Sequence, residues 1–178
     1  MLALSATGLD ALTRVSAAEK APAEYDVKAA FVYNFLPFVE WPTAAFAGSQ
    51  ALRMCVVGDH ALGTAFDGLA GQEVMGRKLI VTHDASIEGV GRCHILFIGR
   101  SEDKRLSEIM GIVKGTGALT IGDGEGFAKR GVIINFYLEQ KKVRFEINAA
   151  AARQAGISIS AKLMKLAGAV YGATGAGD

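Results

Sequence analysis

The sequence has little excess charge of either sign. Its 19 Lys and Arg residues are balanced by 18 Asp and Glu residues, which gives a net charge of +1. Nucleic-acid-binding proteins depend on a basic surface, so this balance predicts no nucleic-acid partner. The nearest basic cluster is Lys141, Lys142 and Arg144, which a turn followed by a strand explains as solvated side chains.

The short motifs that mark catalytic and metal sites are also missing. The three histidines are scattered, and there is no Cys-x-x-Cys pair, no His-x-x-x-His pair and no Gly-x-Ser-x-Gly elbow. Residues 122–127 contain Gly-x-Gly after a predicted strand. However, they carry two acidic residues and have Phe127 where a dinucleotide fingerprint needs its third glycine. We therefore expect no metal, no cofactor and no enzymatic activity.

Long apolar runs are absent as well. No run approaches the roughly 18 residues of a membrane span, so we expect no direct membrane insertion. The first residues lack the basic start and long apolar middle of a signal peptide, although Val15-Ser16-Ala17-Ala18 has the small-residue spacing of a cleavage site. We interpret residues 1–23 as a flexible arm or signal-peptide remnant, residues 24–172 as one domain, and residues 173–178 as a loose tail.

Short apolar segments separated by helical patterns dominate the rest of the chain, which is 51% hydrophobic. The runs at 52–57, 78–82, 95–98 and 118–121 are apolar throughout, which is typical of parallel strands covered on both faces. Helices are predicted at 60–69 and 102–113. Strands at 132–139 and 143–147 are joined by about three residues and must form a hairpin. The predicted fold class is α/β, a three-layer α/β/α sandwich with a mostly parallel central sheet and an antiparallel hairpin at one edge.

Aromatic residues concentrate in residues 25–42, which predict a helix that ends near Leu36 because Pro37 disfavours its continuation. An extended tail through Trp41 should follow. The aromatic residues of this helix either belong to the core or form a groove for a partner, which Trp41 helps to line. Two more helices are predicted, at 149–154 with Asn148 before it and at 160–171 with Ser160 as N-cap. The predicted buried face of the first helix consists of Val27, Ala30, Phe31, Phe35 and Phe38.

Polar residues follow several of the predicted strands. Ligands of open parallel sheets bind beyond the carboxyl ends of the strands, which makes Asp59, Arg100 and Asp123 the candidates for a ligand-binding rim, together with residues 83–84. The same residues are also ordinary turn and cap residues, as in the Gly-Asp pairs after two strands.

Five segments resemble, in order, the YfiR-like family of small periplasmic proteins, whose best-known member represses a membrane-anchored diguanylate cyclase. The likeness runs from about Tyr25 to about Leu166. The segments are the 25–42 stretch, Cys55-Val56-Val57-Gly58-Asp59, Cys93-His94-Ile95-Leu96-Phe97-Ile98, residues 126–136, and Phe145-Glu146-Ile147-Asn148 before residues 157–163.

The resemblance implies a periplasmic, non-enzymatic regulator that binds and inhibits the periplasmic domain of an inner-membrane diguanylate cyclase, lowering cyclic-di-GMP signalling. It also implies an outer-membrane lipoprotein that relieves repression. A homodimer is expected separately, because the apolar surplus and the aromatic first helix are compatible with a self-complementary patch. Trp41, Glu146 and Asn148 become candidates for the partner surface. From position alone, Glu146 is solvated or pairs with Arg144 or Lys28. The alternative is a periplasmic small-molecule sensor or carrier that uses the rim.

The two cysteines, Cys55 and Cys93, give conflicting signals. Aligning their strands by the terminal Gly58 and Gly99 puts the cysteines three residues out of step, roughly 10 Å, which is too far for a disulfide. A shifted register would permit one. The resemblance, and the oxidising compartment that it implies, favour a disulfide, and we predict that bond. The bond is also a candidate for a redox-sensitive element.

Overall fold

The computed structural model of the protein describes residues 20–83 and 87–173. Its six α-helices within these ranges are α1 (Lys20–Phe35), α2 (His60–Phe66), α3 (Ile87–Val90), α4 (Leu106–Val113), α5 (Ala149–Gln154) and α6 (Ala161–Leu166). Short 3₁₀ turns follow α1 and α2 and precede α4. The strands are β1 (Val39–Glu40), β2 (Ala51–Val57), β3 (Glu73–Val74), β4 (Arg77–His83), β5 (Ile95–Ile98), β6 (Leu119–Gly122), β7 (Ile134–Glu139), β8 (Lys142–Asn148), β9 (Ser158–Ile159) and β10 (Ala169–Tyr171).

Eight strands form one mixed sheet in the order β10-β8-β7-β6-β5-β2-β4-β3. Strands β4, β2, β5, β6 and β7 are parallel neighbours, and their spatial order is that of a doubly wound 2-1-3-4-5 sheet. The β7–β8 hairpin is antiparallel, as predicted. Its two-residue turn places Gln140 and Lys141 at positive φ, so the loop is one residue shorter than expected.

Helices cover both faces of the sheet. On one face α1, α2, α5 and α6 contribute to a large apolar core, and on the other α3 and α4 pack with a smaller core. The alternation of side chains along β2 divides Met54 and Val56 from Cys55 and Val57, which face opposite layers. The predicted three-layer α/β/α class is confirmed.

Helix α1 ends at Phe35, one residue before the predicted end, and Pro37 lies in the 3₁₀ turn that follows. Phe35 packs on Phe145 of β8 with ring centroids 4.6 Å apart. The predicted buried face was wrong in part, because Val27 is 44% exposed and Ala30 is exposed. The helix is rotated so that Lys28, at 1% exposure, lies inside. The predicted face missed this rotation because it counted only apolar residues and so assigned the lysine to the solvent side.

The C-terminal segment corrects a second expectation. Ser160 caps α6 by accepting a hydrogen bond from the Leu163 amide, as predicted, but the helix ends at Leu166 rather than Tyr171. The chain then forms β10, parallel to β8, and the Gly168 amide donates to the Phe145 carbonyl at 2.8 Å. A Cβ on Gly168 would collide with the Tyr137 hydroxyl, so glycine permits this approach. An available sheet edge overrides the helical pattern here.

A disulfide joins Cys55 to Cys93, with Cα atoms 5.9 Å apart. The glycine-end register is correct, since Val57 pairs with Ile98, but the 10 Å separation inferred from it was wrong. Cys93 is not part of β5, which begins at Ile95. It lies in the turn after α3, and that turn brings its sulfur back over the face of β2.

His94 attaches this turn to β2. Its Nδ1 accepts a hydrogen bond from the Arg53 amide at 2.9 Å, and its own amide donates to the Arg53 carbonyl at 2.9 Å. Phe46 stacks on the imidazole. Burial is the main cause that lowers the pKa of His94, and the charges of Arg53 and Arg77 lower it further. The imidazole is therefore held neutral, as its role as a hydrogen-bond acceptor requires.

We expect the free energy of unfolding to fall as the pH drops from 7 to 5. The unfolded chain takes up the His94 proton below about pH 6.5, whereas the folded chain resists it until a lower pH, so acid favours unfolding. His94→Asn places an acceptor oxygen near Nδ1 without a titrating ring and should flatten this part of the profile. Urea unfolding at pH 7, 6 and 5 measures both proteins. Parallel profiles would show that His94 does not contribute.

Candidate functional site

The position where doubly wound sheets usually bind ligands is filled in this protein. The strand order reverses between β2 and β5, at Gly58 and Gly99. Leu62 of α2 is fully buried over these glycines, and a Cβ on either one would come within 3.0 Å of its Cδ2. The two glycines allow Leu62 of α2 to pack closely over the ends of these two strands.

An open cleft lies farther along the same edge, beyond the end of β6 and beside residues 135–138 of β7. Its volume is about 530 Å³, within the usual range of small-molecule sites. The loop after β6, the hairpin and β10 form its walls, and the start of α1 closes one end. The polar lining residues are Glu24, Lys28, Arg100, Asp123, Glu125, Lys129, Asn135, Tyr137, Glu146 and Tyr171.

A buried ion-pair network occupies the α1 end of the cleft. Lys28 Nζ donates to Asp123 Oδ2 at 2.7 Å and pairs with Glu24 one helical turn earlier. Arg100 follows β5, and its backbone amide donates to Asp123 Oδ1 at 2.6 Å while its guanidinium donates to Oδ2. Arg100 also pairs with Glu24. Two cations and two anions thus neutralise one another.

The pKa values of Arg100 and Glu24 shift in the directions that keep both groups charged. Burial alone would lower the pKa of Arg100, but Asp123 and Glu24 outweigh burial and raise that pKa above its usual value. Burial opposes ionisation of Glu24, yet Lys28 and then Arg100 bring its pKa below the usual value. Burial, reinforced by the Asp123 carboxylate, raises the pKa of the neighbouring Tyr25. Glu24 and Arg100 therefore stay charged across the physiological pH range, and the phenol of Tyr25 stays neutral.

The hairpin end of the cleft has different chemistry. Asn135 and Glu146 are partners across β7 and β8, and Asn135 Nδ2 donates to Glu146 Oε1 at 3.0 Å. Tyr171 of β10 donates its hydroxyl proton to Glu146 Oε2 at 2.8 Å, and this hydrogen bond raises the pKa of the phenol. Neither predicted partner of Glu146 is used, because Arg144 pairs with Glu139 and Lys28 with Asp123 and Glu24.

The predicted ligand-binding rim is divided by the structure. Arg100 and Asp123 lie together in the cleft. Asp59 is exposed and lines a separate pocket of about 230 Å³, beside the ion pair between His83 and Asp67. Asp84 lies outside the described residues. Asp59 and Asp123 therefore do not form a paired acid.

The two remaining candidates for a partner surface, Asn148 and Trp41, also make contacts that stabilise the fold. Asn148 caps α5 by accepting from the Ala151 amide at 2.8 Å, as predicted, and its Nδ2 donates to the Ala128 carbonyl. Trp41 is half-buried, and its indole N–H donates to the His94 carbonyl at 3.1 Å. One edge of its ring meets Phe46. Both residues remain predictions for a partner surface.

Sequence reasoning missed Lys28, Glu24, Asn135 and Tyr171 as parts of one cleft. A signal for the first two was present: Lys28 lies in phase with Tyr25, Val32 and Phe35, all of which are buried, and Glu24 precedes it by four residues. A lysine inside an apolar stripe needs a buried anion. No comparable signal existed for Tyr171, since its strand was predicted as helix.

The fold and cleft define a three-layer α/β domain with a polar cleft beyond its parallel strands. A family model described as YfiR/HmsC-like matches residues 25–168. The chain therefore belongs to the YfiR/HmsC-like family, as the sequence motifs predicted. No curated protein matches the chain.

Two solved structures show similarity of fold alone. A conserved domain protein from Vibrio cholerae aligns with a TM-score of 0.59 at 13% identity. An ABC domain from Streptococcus pneumoniae, in complex with L-Trp, aligns with a TM-score of 0.54 at 8% identity. The alignments cover 82% of this chain and 60% of each neighbour, so the chain spans well under the full length of either.

Proposed function

We propose that the protein is a periplasmic, non-enzymatic regulator that binds the periplasmic domain of an inner-membrane diguanylate cyclase and holds it inactive, lowering cyclic-di-GMP signalling. The observation that carries this proposal is the family match over residues 25–168. An outer-membrane lipoprotein that relieves the repression, and a homodimer, belong to the same proposal.

Two features of the structure support this assignment. The Cys55–Cys93 disulfide suits an oxidising compartment, where such bonds persist. No α-helix in the described ranges 20–83 and 87–173 is long and apolar enough to cross a membrane. Repression requires that the protein bind the inactive state of the cyclase more tightly than the active state.

Co-purification with the periplasmic domain of a diguanylate cyclase encoded beside it tests this function. We expect a stable complex with the wild-type chain. Trp41→Ala should weaken it by about 30-fold or more, as expected for a partly exposed aromatic residue at an interface centre. Met75→Ala is the control, because Met75 is an exposed apolar residue in the turn between β3 and β4, away from the candidate residues Trp41, Glu146 and Asn148 in the chain.

Unfolding midpoints of both variants must be measured beside binding, because Trp41 also contacts the fold. A folded wild-type chain that shows no binding to the cyclase domain, with its disulfide intact or reduced, would overturn the proposed function. Equal binding by folded Trp41→Ala would remove Trp41 from the interface.

A further inference from the structure

The hairpin end of the cleft presents a carboxylate with no counter-ion. Glu146 is half-buried, and its oxygens accept from two neutral donors, the Asn135 amide and the Tyr171 hydroxyl. Among the described residues, no Lys or Arg forms an ion pair with it, and its nearest basic neighbour along β8, Arg144, is engaged by Glu139. Withdrawing a carboxylate from water without a counter-ion is costly, so a cation that entered the cleft would gain from pairing with it.

Aromatic rings in the cleft also favour binding of a cation. Tyr171 and Tyr137 both line the cleft, and Lys129 Nζ lies 5.8 Å from the centre of the Tyr171 ring. That distance is within the range of a cation–π contact. Lys129 is exposed and reaches toward the ring from the rim, so an ammonium group of the chain itself already lies within cation–π distance of Tyr171.

The orientation of Glu146 is fixed before any ligand arrives. Asn135 is 1% exposed, and its Nδ2 also donates to the Gly124 carbonyl, so the amide that holds Glu146 is itself held by the loop after β6. The Tyr171 hydroxyl holds the other oxygen. A carboxylate held at both oxygens loses little side-chain entropy when it binds a partner.

The α1 end of the cleft cannot act in the same way. The charges of Lys28, Arg100, Glu24 and Asp123 already neutralise one another. An incoming ion would have to break a buried pair to bind there. The hairpin end therefore provides the only unneutralised carboxylate that is held in place within the described part of this cleft.

We propose that the cleft binds an alkylammonium group, with Glu146 as the counter-ion and the Tyr171 ring as an aromatic wall. The group belongs either to a small free amine or to a lysine side chain. This site goes beyond the proposed function, because it makes the domain responsive to a cation whether or not a cyclase is its partner.

Titration calorimetry of the full chain with cadaverine and with Nα-acetyl-lysine methylamide tests the proposal. We expect at least one of these ammonium probes to bind, and 1,5-pentanediol, which has the length of cadaverine without its charge, not to bind. Binding of cadaverine assigns the site to small amines. Binding of the blocked lysine alone assigns it to a protein side chain.

Three variants separate charge from structure. Glu146→Gln should weaken the probe by about 10- to 100-fold, the usual range for loss of a charge-assisted hydrogen bond. Lys129→Ala should tighten binding, because it removes a competing cation from the Tyr171 ring. Glu73→Gln, an exposed position on the edge strand β3 outside the cleft, is the matched control and should bind as the wild type does.

Absence of binding by both ammonium probes, or equal binding of the diol, would overturn the proposal. Unchanged affinity in folded Glu146→Gln would overturn it too. Because these measurements need no cyclase domain, their failure is distinguishable from failure of the proposed function.

Discussion

Replacing Lys28 by methionine should lower the free energy of unfolding by about 3–5 kcal/mol, the range for a buried ion pair that loses one member. The side chain of Asp123 has no exposed surface, and Lys28 is 1% exposed. Methionine has a similar length, so the substitution removes the charge with little change in packed volume. Arg100 still contacts Asp123, which favours the lower part of the range. Urea unfolding at pH 7 measures the loss.

Two further variants identify the cause of that loss. Lys129→Met changes an exposed lysine at the rim of the same cleft and should stay within about 0.5 kcal/mol of the wild type. Lys28→Met combined with Asp123→Asn should be more stable than Lys28→Met alone. The asparagine still accepts from the Arg100 amide but no longer carries a buried charge. A double variant no better than the single one would show that packing, rather than charge, causes the loss.

The sequence predicted the layers of this fold better than the orientation of its parts. Strand β5 is apolar throughout and β2 is apolar apart from the exposed Arg53, because both faces of these strands are largely covered, and that pattern is visible in the sequence. The rotation of α1 was missed, because the pattern of apolar residues places Lys28 on the solvent side. It is set by the attraction of Lys28 to Asp123, which is 95 residues away in the chain.

The sequence predicted individual residues of the cleft but not how they come together. Arg100 and Asp123 were expected at strand ends, and the parallel order of β5 and β6 brings them together. Glu146 was singled out, but its partners depend on the β7–β8 register and on β10. Strand β10 forms because an edge of β8 is available, and a single-sequence pattern does not contain that information.

The cysteines show how a correct register can still give a wrong distance. The alignment of Gly58 with Gly99 matches the structure. The separation of roughly 10 Å between the cysteines holds only if Cys93 belongs to a straight strand, and it does not. His94 fixes the turn before β5, because it forms hydrogen bonds with both the backbone amide and the backbone carbonyl of Arg53. Extended-chain geometry applies only as far as the strand itself extends.

Removing the disulfide by Cys55→Ala with Cys93→Ala should cost about 4 kcal/mol, because a cross-link spanning 38 residues removes that much loop entropy from the unfolded chain. Alanine is preferred to serine because both cysteines are 5% exposed, and a buried hydroxyl would add its own cost. Urea unfolding under oxidising conditions compares the double variant with the wild type. The wild type with reductant should lose a similar amount, whereas the double variant should not respond to reductant. A loss below about 1 kcal/mol would show that the turn around His94 holds the two strands without the bond. A loss of the expected size means that this domain reaches its full stability only where disulfides form.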